Sequence, residues 1–588
     1  MVNYIIFSLN KEGQIDNKEI AAIFSRIADA LEIKGENVFR VRAYRTASQN
    51  IMSLSRQLED ICGEDPSMLE NIPGIGKDLK AKIVEMVETN GLGYYKDLMR
   101  EFPEGFLDML DLSGLGPKKL KKLKDELGIE NVNDLEKACK KGALEEIEGM
   151  GAKTQEKLLE AIEHFRKSEG RMLLPEADHY ANEIISYLAK SKNFKKLKKA
   201  GSLRRGTETV GDLDILAVAG DSKKAMDYFV GYPHTESVMA KGPTKSSISL
   251  MEGPQIDLRV IDASCFGAAL VYFTGAKQHN VEIRKIAKNM GYKVNEYGIF
   301  SIKSGKMVAG KTEEDVYRKL GMQWIPPELR EIHGEIEAAQ KGTLPKNLLD
   351  AKDIKGDLHT HTTATDGSAS AEEMVAAANK KGYKYLAITD HSKNVRVANG
   401  LDEKRLLKHV EKVRKIARKT KDMKVLVGIE VDILDRGKLD FKDSVLKELD
   451  IVIAAVHSRF SLEKEKQTSR ILKAMDNKFV NVLAHPSGRL ITSRSSIQVD
   501  FDRIFTKAAE NNVYLEINTH GERIDLNDAH CRRAKELGAK FVVSTDAHGV
   551  EQLNGMIYGI VTARRGWLEK KDVLNTYSLD KLMKALKR

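Results

Sequence analysis

Cysteine is scarce in this sequence: four in 588 residues, Cys62, Cys139, Cys265 and Cys531, far apart and with no C-x-x-C pair. That spacing gives no disulfide framework and no cysteine-ligated structural zinc, and it suits a reducing compartment. Long apolar runs are missing too; no stretch reaches the ~20 residues that a spanning helix needs. The first residues, MVNYIIFSLNKEGQ, carry neither a basic leader nor a long apolar core, so a secretory signal is not expected there. A strong excess of one charge is also lacking. There are 96 Lys+Arg against 86 Asp+Glu, a net of +10, which is a mild lean toward a polyanionic partner. With 41% hydrophobic and 31% charged residues, the composition is that of a folded, globular protein. The expectation is a cytoplasmic monomer with no membrane partner. The length exceeds what one core serves, so roughly three to five domains are expected.

Residues 1–170 read as helical throughout, with apolar residues recurring at three and four, as in NKEIAAIFSRIADALEI. Within them one pattern occurs three times: NIPGIGKDLKAKI, LSGLGPKKLKKL and IEGMGAKTQEKL. Each is apolar-x-Gly-apolar-Gly running into a lysine-bearing helix start, which predicts a helix, a tight hairpin and a second helix. The glycines Gly74, Gly76, Gly114, Gly116, Gly149 and Gly151 let the backbone turn and approach a phosphate closely. The helix start behind each hairpin offers it free N–H groups. One copy would be an ordinary glycine-capped turn. Three copies, each with a lysine (Lys77, Lys118, Lys153), read as contacts to a nucleic-acid backbone that hold it without reading its sequence.

From 171 to 262 short β-rich runs appear between helices. Two of them contain carboxylates: Asp212 and Asp214 in GDLDILAV, two apart and so on one strand face, and Asp257 in QIDLRVI. Three carboxylates converging on a sheet repel one another unless a cation lies among them, and Mg²⁺ is the natural occupant. Two such ions can clamp the attacking and leaving oxygens of a phosphoryl transfer. A D-x-D alone would more simply be a turn cap, but AGSLRRGTETVGDLDIL adds a Gly-Ser turn ten residues upstream and Arg205, suited to a triphosphate.

This arrangement resembles the nucleotidyltransferase superfamily. With ALVYFTGAKQHNVEIR and YKVNEYGIF it narrows to the family X DNA polymerases, over about residues 18–325. The resemblance implies that Asp212 and Asp214 hold both metals and that Asp257 completes the site activating a primer 3′-hydroxyl. It implies Ser202 and Arg205 on the triphosphate, Tyr272, Phe273 and Gly275 around the sugar, and Asn280 and Arg284 near the nascent pair and template. Lys82 occupies the position of the family's Schiff-base lysine, whereas Asp78 stands where lyase-active relatives place a lysine.

Beyond residue 353 apolar strands end repeatedly in ligand residues: GDLHTHTTATDG, YLAITDH, KVLVGIEVD, DIVIAAVH, VNVLAHP, VYLEIN and KFVVSTDAH. Buried strands alternating with helices predict a (β/α) barrel, which gathers functional groups at the strand C-terminal ends. His359, His361, Asp366, His391, Glu430, His457, His485, Asp546 and His548 give nine N/O ligands, too many for one ion. They suit two or three Mn²⁺, Zn²⁺ or Fe²⁺ ions, with Glu430 as a bridge. The region resembles the PHP (polymerase and histidinol phosphatase) domain over about 355–576, which implies phosphoester hydrolysis. Beside a family X polymerase it implies a 3′–5′ exonuclease, with cleavage at abasic sites as a further activity. Arg459 and Arg489, just past two ligand strands, are candidates to grip a substrate phosphate.

The expected organisation is a multi-domain chain. A lyase-type helical domain with the first hairpin spans 1–90, and fingers with the second and third hairpins span 91–170. An α/β nucleotidyltransferase palm follows at 171–262, an α+β thumb at 263–325, a linker at 326–352, and a distorted (β/α)7 barrel at 353–588. The expected partners are gapped or primer-template DNA and dNTPs, with Mg²⁺ in the palm. The alternative is a template-independent nucleotidyltransferase joined to a small-molecule phosphatase.

Overall fold

The computed structural model describes residues 15–587, apart from 16, 53, 55–57, 90, 104, 113, 114, 148, 152, 153, 160, 163–170 and 252. The chain divides into two units, 1–169 with 490–495, and 170–489 with 496–588.

The first unit is helical among its described residues. The helix Asn17–Lys34 buries Ile20, Ile23, Phe24, Ile27 and Leu31, a stripe at helical spacing, and Val38–Met52 packs along it. In the three Gly-rich repeats the element before the hairpin is a short 3₁₀ turn (Pro66–Asn71, Leu107–Asp111, Ala143–Glu146) where a full helix was expected. The helices Lys77–Thr89 and Pro117–Leu127 follow the first two. Gly74 and Gly149 adopt φ of +82° and +86°, the left-handed turn that glycine enters without strain. Gly76, Gly116 and Gly151 have no heavy atom within 4 Å of where a Cβ would stand, so the backbone there is open to an approaching group. Gly114 and Lys153 lie outside the described residues.

The second unit begins with a five-stranded sheet. Its order is Phe194–Lys199, Leu213–Ala219, Gln255–Val260, Lys245–Leu250 and Thr235–Lys241, and the Leu213 and Gln255 strands run parallel. Next come the helices Phe266–Thr274 and Lys277–Asn289 and a three-stranded antiparallel sheet, Tyr292–Asn295, Gly298–Ser301 and Met307–Ala309.

Residues 326–352, expected to be a linker, are instead packed. Leu329, Ile336, Ala339 and Leu344 join the core formed by Ile283, Val316 and Tyr317. Arg330 is fully buried, with Nη1 2.9 Å from Glu313 and Nε and Nη2 donating to the Ile325 carbonyl. Glu335 is buried beside His279, 2.7 Å away. The helix here, Glu335–Lys341, is too short to display a period, and the buried charges give it a polar look.

From Gly356 to Ser544 seven parallel strands follow one another in sequence order around a barrel. The ends meet through the Thr360–Ala547 bridge and through Asp357, which accepts from the N–H of Thr545. Alternation sorts the side chains. Tyr385, Ala387, Leu426, Ile451 and Ile453 fill the interior, where Leu582 and Leu586 from the C-terminal helix join them. Leu386, Ile388, Val425, Val427 and Val452 face the surrounding helices. No helix among the described residues is long and apolar enough to cross a membrane.

Candidate metal and nucleotidyl-transfer sites

In the palm sheet Asp214 lies directly across from Asp257 on the parallel neighbour, and exposed Asp212 stands just before the strand. Burial, then repulsion from Asp212 and Asp257, pushes the Asp214 carboxyl up to about 6. Asp257 is held down instead: its burial is outweighed by Lys245, 2.7 Å away, and by Gln255, 2.9 Å away. Ala200 donates its N–H to the Asp214 carbonyl at 2.8 Å, which seats the Gly201–Ser202 turn against the strand. Gly201 has φ +61°, and a Cβ on it would meet Asp214 Oδ2 at 2.8 Å.

Of the residues expected around a nucleotide, several converge here. Arg205 donates from Nη1 to the Thr274 carbonyl at 2.5 Å, at the end of the helix that carries Tyr272 and Phe273. Gly275 caps that helix at φ +72°, and Asn280 donates to the Tyr272 carbonyl at 2.7 Å. Arg284 is exposed on the next helix. Arg205 Nε is 2.9 Å from Glu331, while Arg204 makes a forked pair with Glu313 at 2.8 and 2.8 Å. Both arginines face carboxylates that spacing in sequence could not reveal.

In the helical unit Lys82 is 14% exposed and ion-paired with Asp78, one turn earlier, with its Nζ 5.3 Å from the Tyr94 ring centre.

The nine barrel residues are brought together. His359 and His361 follow the first strand on an extended segment, fully buried, with their Nε2 atoms 3.1 Å apart. Asp546 Oδ1 lies 3.0 Å from His361 and 3.6 Å from His359. Asp366 Oδ2 lies 3.4 Å from both His391 and His548. Glu430 is central: Oε2 lies 2.7 Å from His391 Nδ1, and Oε1 lies 3.2 Å from His457 and 2.9 Å from His485. Ligand atoms within 4.8 Å of one another form three overlapping groups: His361–Asp366–His391–His548, His359–His361–Asp546 and His391–Glu430–His457. Among the described residues only the barrel holds such groups, so the palm carboxylates are more widely spread.

The donor set fits cations. His361 Nδ1, His457 Nδ1 and His485 Nδ1 are buried with no hydrogen-bond partner. Burial, then crowding by His548 and His391, pulls His361 down to about 4, which leaves its ring neutral and able to donate a lone pair. In Glu430 burial is outweighed by His457, His391 and His359, and in Asp546 by His359 and His361, so both carboxyls stay well below the usual range. His485 and Asp546 sit at φ +28° and +53°, a backbone region that residues other than glycine seldom enter.

Residues missed in the sequence hold these ligands in place. Glu516 accepts from the His485 N–H at 2.8 Å and approaches His359 Nδ1. Asp390 accepts from Thr362 N–H and Thr365 Oγ1 and lies 3.0 Å from His409, which pins the loop bearing Asp366. Asp432 accepts from the His457 N–H at 3.0 Å. The signal was available: Asp390 adjoins a ligand, and Asp432 lies two residues past one on the same strand. Arg489 forks onto Glu208 at 3.2 and 2.6 Å, and Arg459 pairs with Asp435.

The fold and sites define a chain that joins a polymerase-type palm and thumb to a metal-ligating barrel. Family models match in order: a helix-hairpin-helix domain at 15–92, a SAM-like helix-hairpin-helix tandem at 106–163, a DNA polymerase beta thumb at 269–331 and a PHP domain at 357–520. The chain is 37% identical over 573 residues, 97% of its length and 99% of the relative's, to the DNA polymerase/3'-5' exonuclease PolX of Bacillus subtilis (strain 168). It therefore belongs to the family X DNA polymerases with a C-terminal PHP domain. Over 231 residues the chain is 28% identical to a probable phosphatase of Thermoanaerobacter sp. (strain X514), covering 37% of this chain and 89% of that one. A probable phosphatase of Clostridium acetobutylicum is 31% identical over 204 residues, covering 33% and 78%.

Proposed function

We propose that this chain is a DNA-directed DNA polymerase acting in gap-filling repair, with a metal-dependent 3′–5′ exonuclease in its barrel. The observation that carries this is two separate ligand sets on one chain: the facing pair Asp214 and Asp257 beside the Gly201–Ser202 turn, and nine convergent N/O donors at the barrel mouth.

In the palm, Asp212, Asp214 and Asp257 would hold Mg²⁺, which suits carboxylate oxygens and supplies charge stabilisation to the oxygens of phosphoryl transfer. The Gly201–Ser202 turn presents its hydroxyl and N–H groups to a triphosphate. Arg205 joins it when a phosphate replaces Glu331 as its partner. Tyr272, Phe273 and Gly275 wall the sugar, and Asn280 and Arg284 stand toward the base pair. The glycines of the hairpins grip the DNA backbone.

In the barrel, the nine residues would hold two or three Mn²⁺, Zn²⁺ or Fe²⁺ ions, which lower the pKa of a bound water and offset charge on the phosphate. Glu430, anionic and central, lies in one of the ligand groups, whereas neutral His361 is shared by two, as is His391. Cleavage at abasic sites is the same hydrolysis on another phosphodiester. A Schiff base at Lys82 would require its pair with the exposed Asp78 carboxylate to open, which costs about 1 kcal/mol or less.

The barrel's likeness to proteins named as probable phosphatases favours a second reading, hydrolysis of small phosphomonoesters. A 5′-labelled primer in a gapped duplex, with Mg²⁺ or Mn²⁺ and with or without dNTPs, tests both. Asp257→Ala is expected to lose extension only, and His359→Ala to lose shortening only. Phosphomonoester turnover without primer shortening would favour the second reading.

A further inference from the structure

The barrel has two rims, and the metal ligands occupy only the one past the C-terminal strand ends. At the other rim a groove of about 890 Å³ is lined by Lys355, Lys384, Lys424, Arg414, Arg418 and Lys421, against two carboxylates. Of these, Asp450 is already engaged, accepting the Val427 N–H at 2.9 Å, and Asp422 is exposed. Three of the lysines open successive strands: the N–H of Lys384 donates to the Lys355 carbonyl at 2.6 Å, and that of Lys424 to the Lys384 carbonyl at 2.9 Å. Neighbouring strands lie ~4.8 Å apart, so the backbones of the three lie within about 10 Å of one another, and their side chains all line the groove. Among the described residues none of the three has a carboxylate within 4.0 Å. Lys384 and Lys424 are exposed and Lys355 is half-buried. Like charges held this close repel, and the repulsion is relieved by a partner that brings several negative charges on a line.

We propose that this groove binds the phosphodiester backbone of DNA, as a second contact surface remote from the metal cluster. It rests on the reading that the chain acts on DNA. The groove carries no aromatic side chain on which a base could stack, so the contact is to phosphates and independent of sequence. Its role is to hold a length of DNA outside both active sites.

The test uses the full chain and a triple variant, Lys355→Gln, Lys384→Gln and Lys424→Gln, binding a 40-base-pair gapped duplex over a series of salt concentrations. Each phosphate contact contributes a slope of about 0.9 in log affinity against log salt, so the variant is expected to lose about 2–3 from the slope and to bind roughly tenfold or more weakly at low salt. In the unmutated chain, bound duplex is expected to protect these three lysines from acetylation. Hydrolysis of a small chromogenic phosphodiester is expected to be unchanged, which also shows that the variant is folded. Equal slopes and no protection would overturn the groove while leaving the enzyme reading intact. An unmutated chain with no salt-dependent affinity for DNA would overturn both.

Discussion

Nδ1 of His359 stands 2.6 Å from Oε1 of Glu516, with both side chains fully sealed from solvent. This contact fixes which ring nitrogen of His359 faces the cluster, since Nε2 is the atom turned toward Glu430 and Asp546. Carboxylate partners of this kind orient a histidine ligand and raise its basicity. Glu516→Gln is therefore expected to weaken metal binding in the barrel by about 10–100-fold, read by calorimetric titration and metal content. Primer extension by the same protein should be unchanged.

Gly206 follows the two arginines of the palm at φ +67°, and a Cβ there would lie 2.0 Å from Val561 Cγ1 on the barrel helix Met556–Arg565. Gly206→Ala should lower stability by about 1–3 kcal/mol through overpacking. Adding Val561→Ala should restore part of it, leaving the backbone cost of a left-handed alanine. Thermal melts of the two variants measure both components.

Burial alone would raise Glu313, but Arg204 and Arg330 outweigh it and pull its carboxyl to about 2 from an ordinary 4.5. A depressed folded value means that the ionised form stabilises the fold. The contribution is complete above pH 4.5 and disappears as pH falls toward 2. Glu313→Gln should cost about 3 kcal/mol at pH 7 and progressively less below pH 4.5, where denaturant melts of the two proteins should converge.

Gly74 turns the first hairpin, and an alanine Cβ there would stand 2.9 Å from Thr46 Cγ2. Gly74→Ala should cost roughly 1–2 kcal/mol in the helical unit. A loss of affinity for gapped duplex, with barrel hydrolysis of a small phosphodiester unaltered, would place the effect in DNA binding.

The barrel was legible because its ligands come directly after short apolar runs, so pattern and chemistry coincide at the same positions. The strand count, the nine donors and the excess over one ion all follow from that. Glu516, inside its strand as Glu430 is, was not, because its partners His359 and His485 lie far away in sequence. Partners distant in sequence were equally silent: Glu331 lies 126 residues from Arg205, and Glu208 lies 281 from Arg489. The packed segment 326–352 read as a linker because burial of Arg330 and Glu335 depends on carboxylate and imidazole partners that only the fold supplies.

Arg565 donates to the Arg205 carbonyl at 2.9 Å and shares Glu331 with the Arg205 side chain. With Gly206 pressed on Val561, the turn that faces the palm carboxylates is riveted to the barrel helix, leaving no slack for a swinging joint at that seam. Any shift of that turn against the barrel helix must break the Arg565–Arg205 contact and the shared Glu331 pair together.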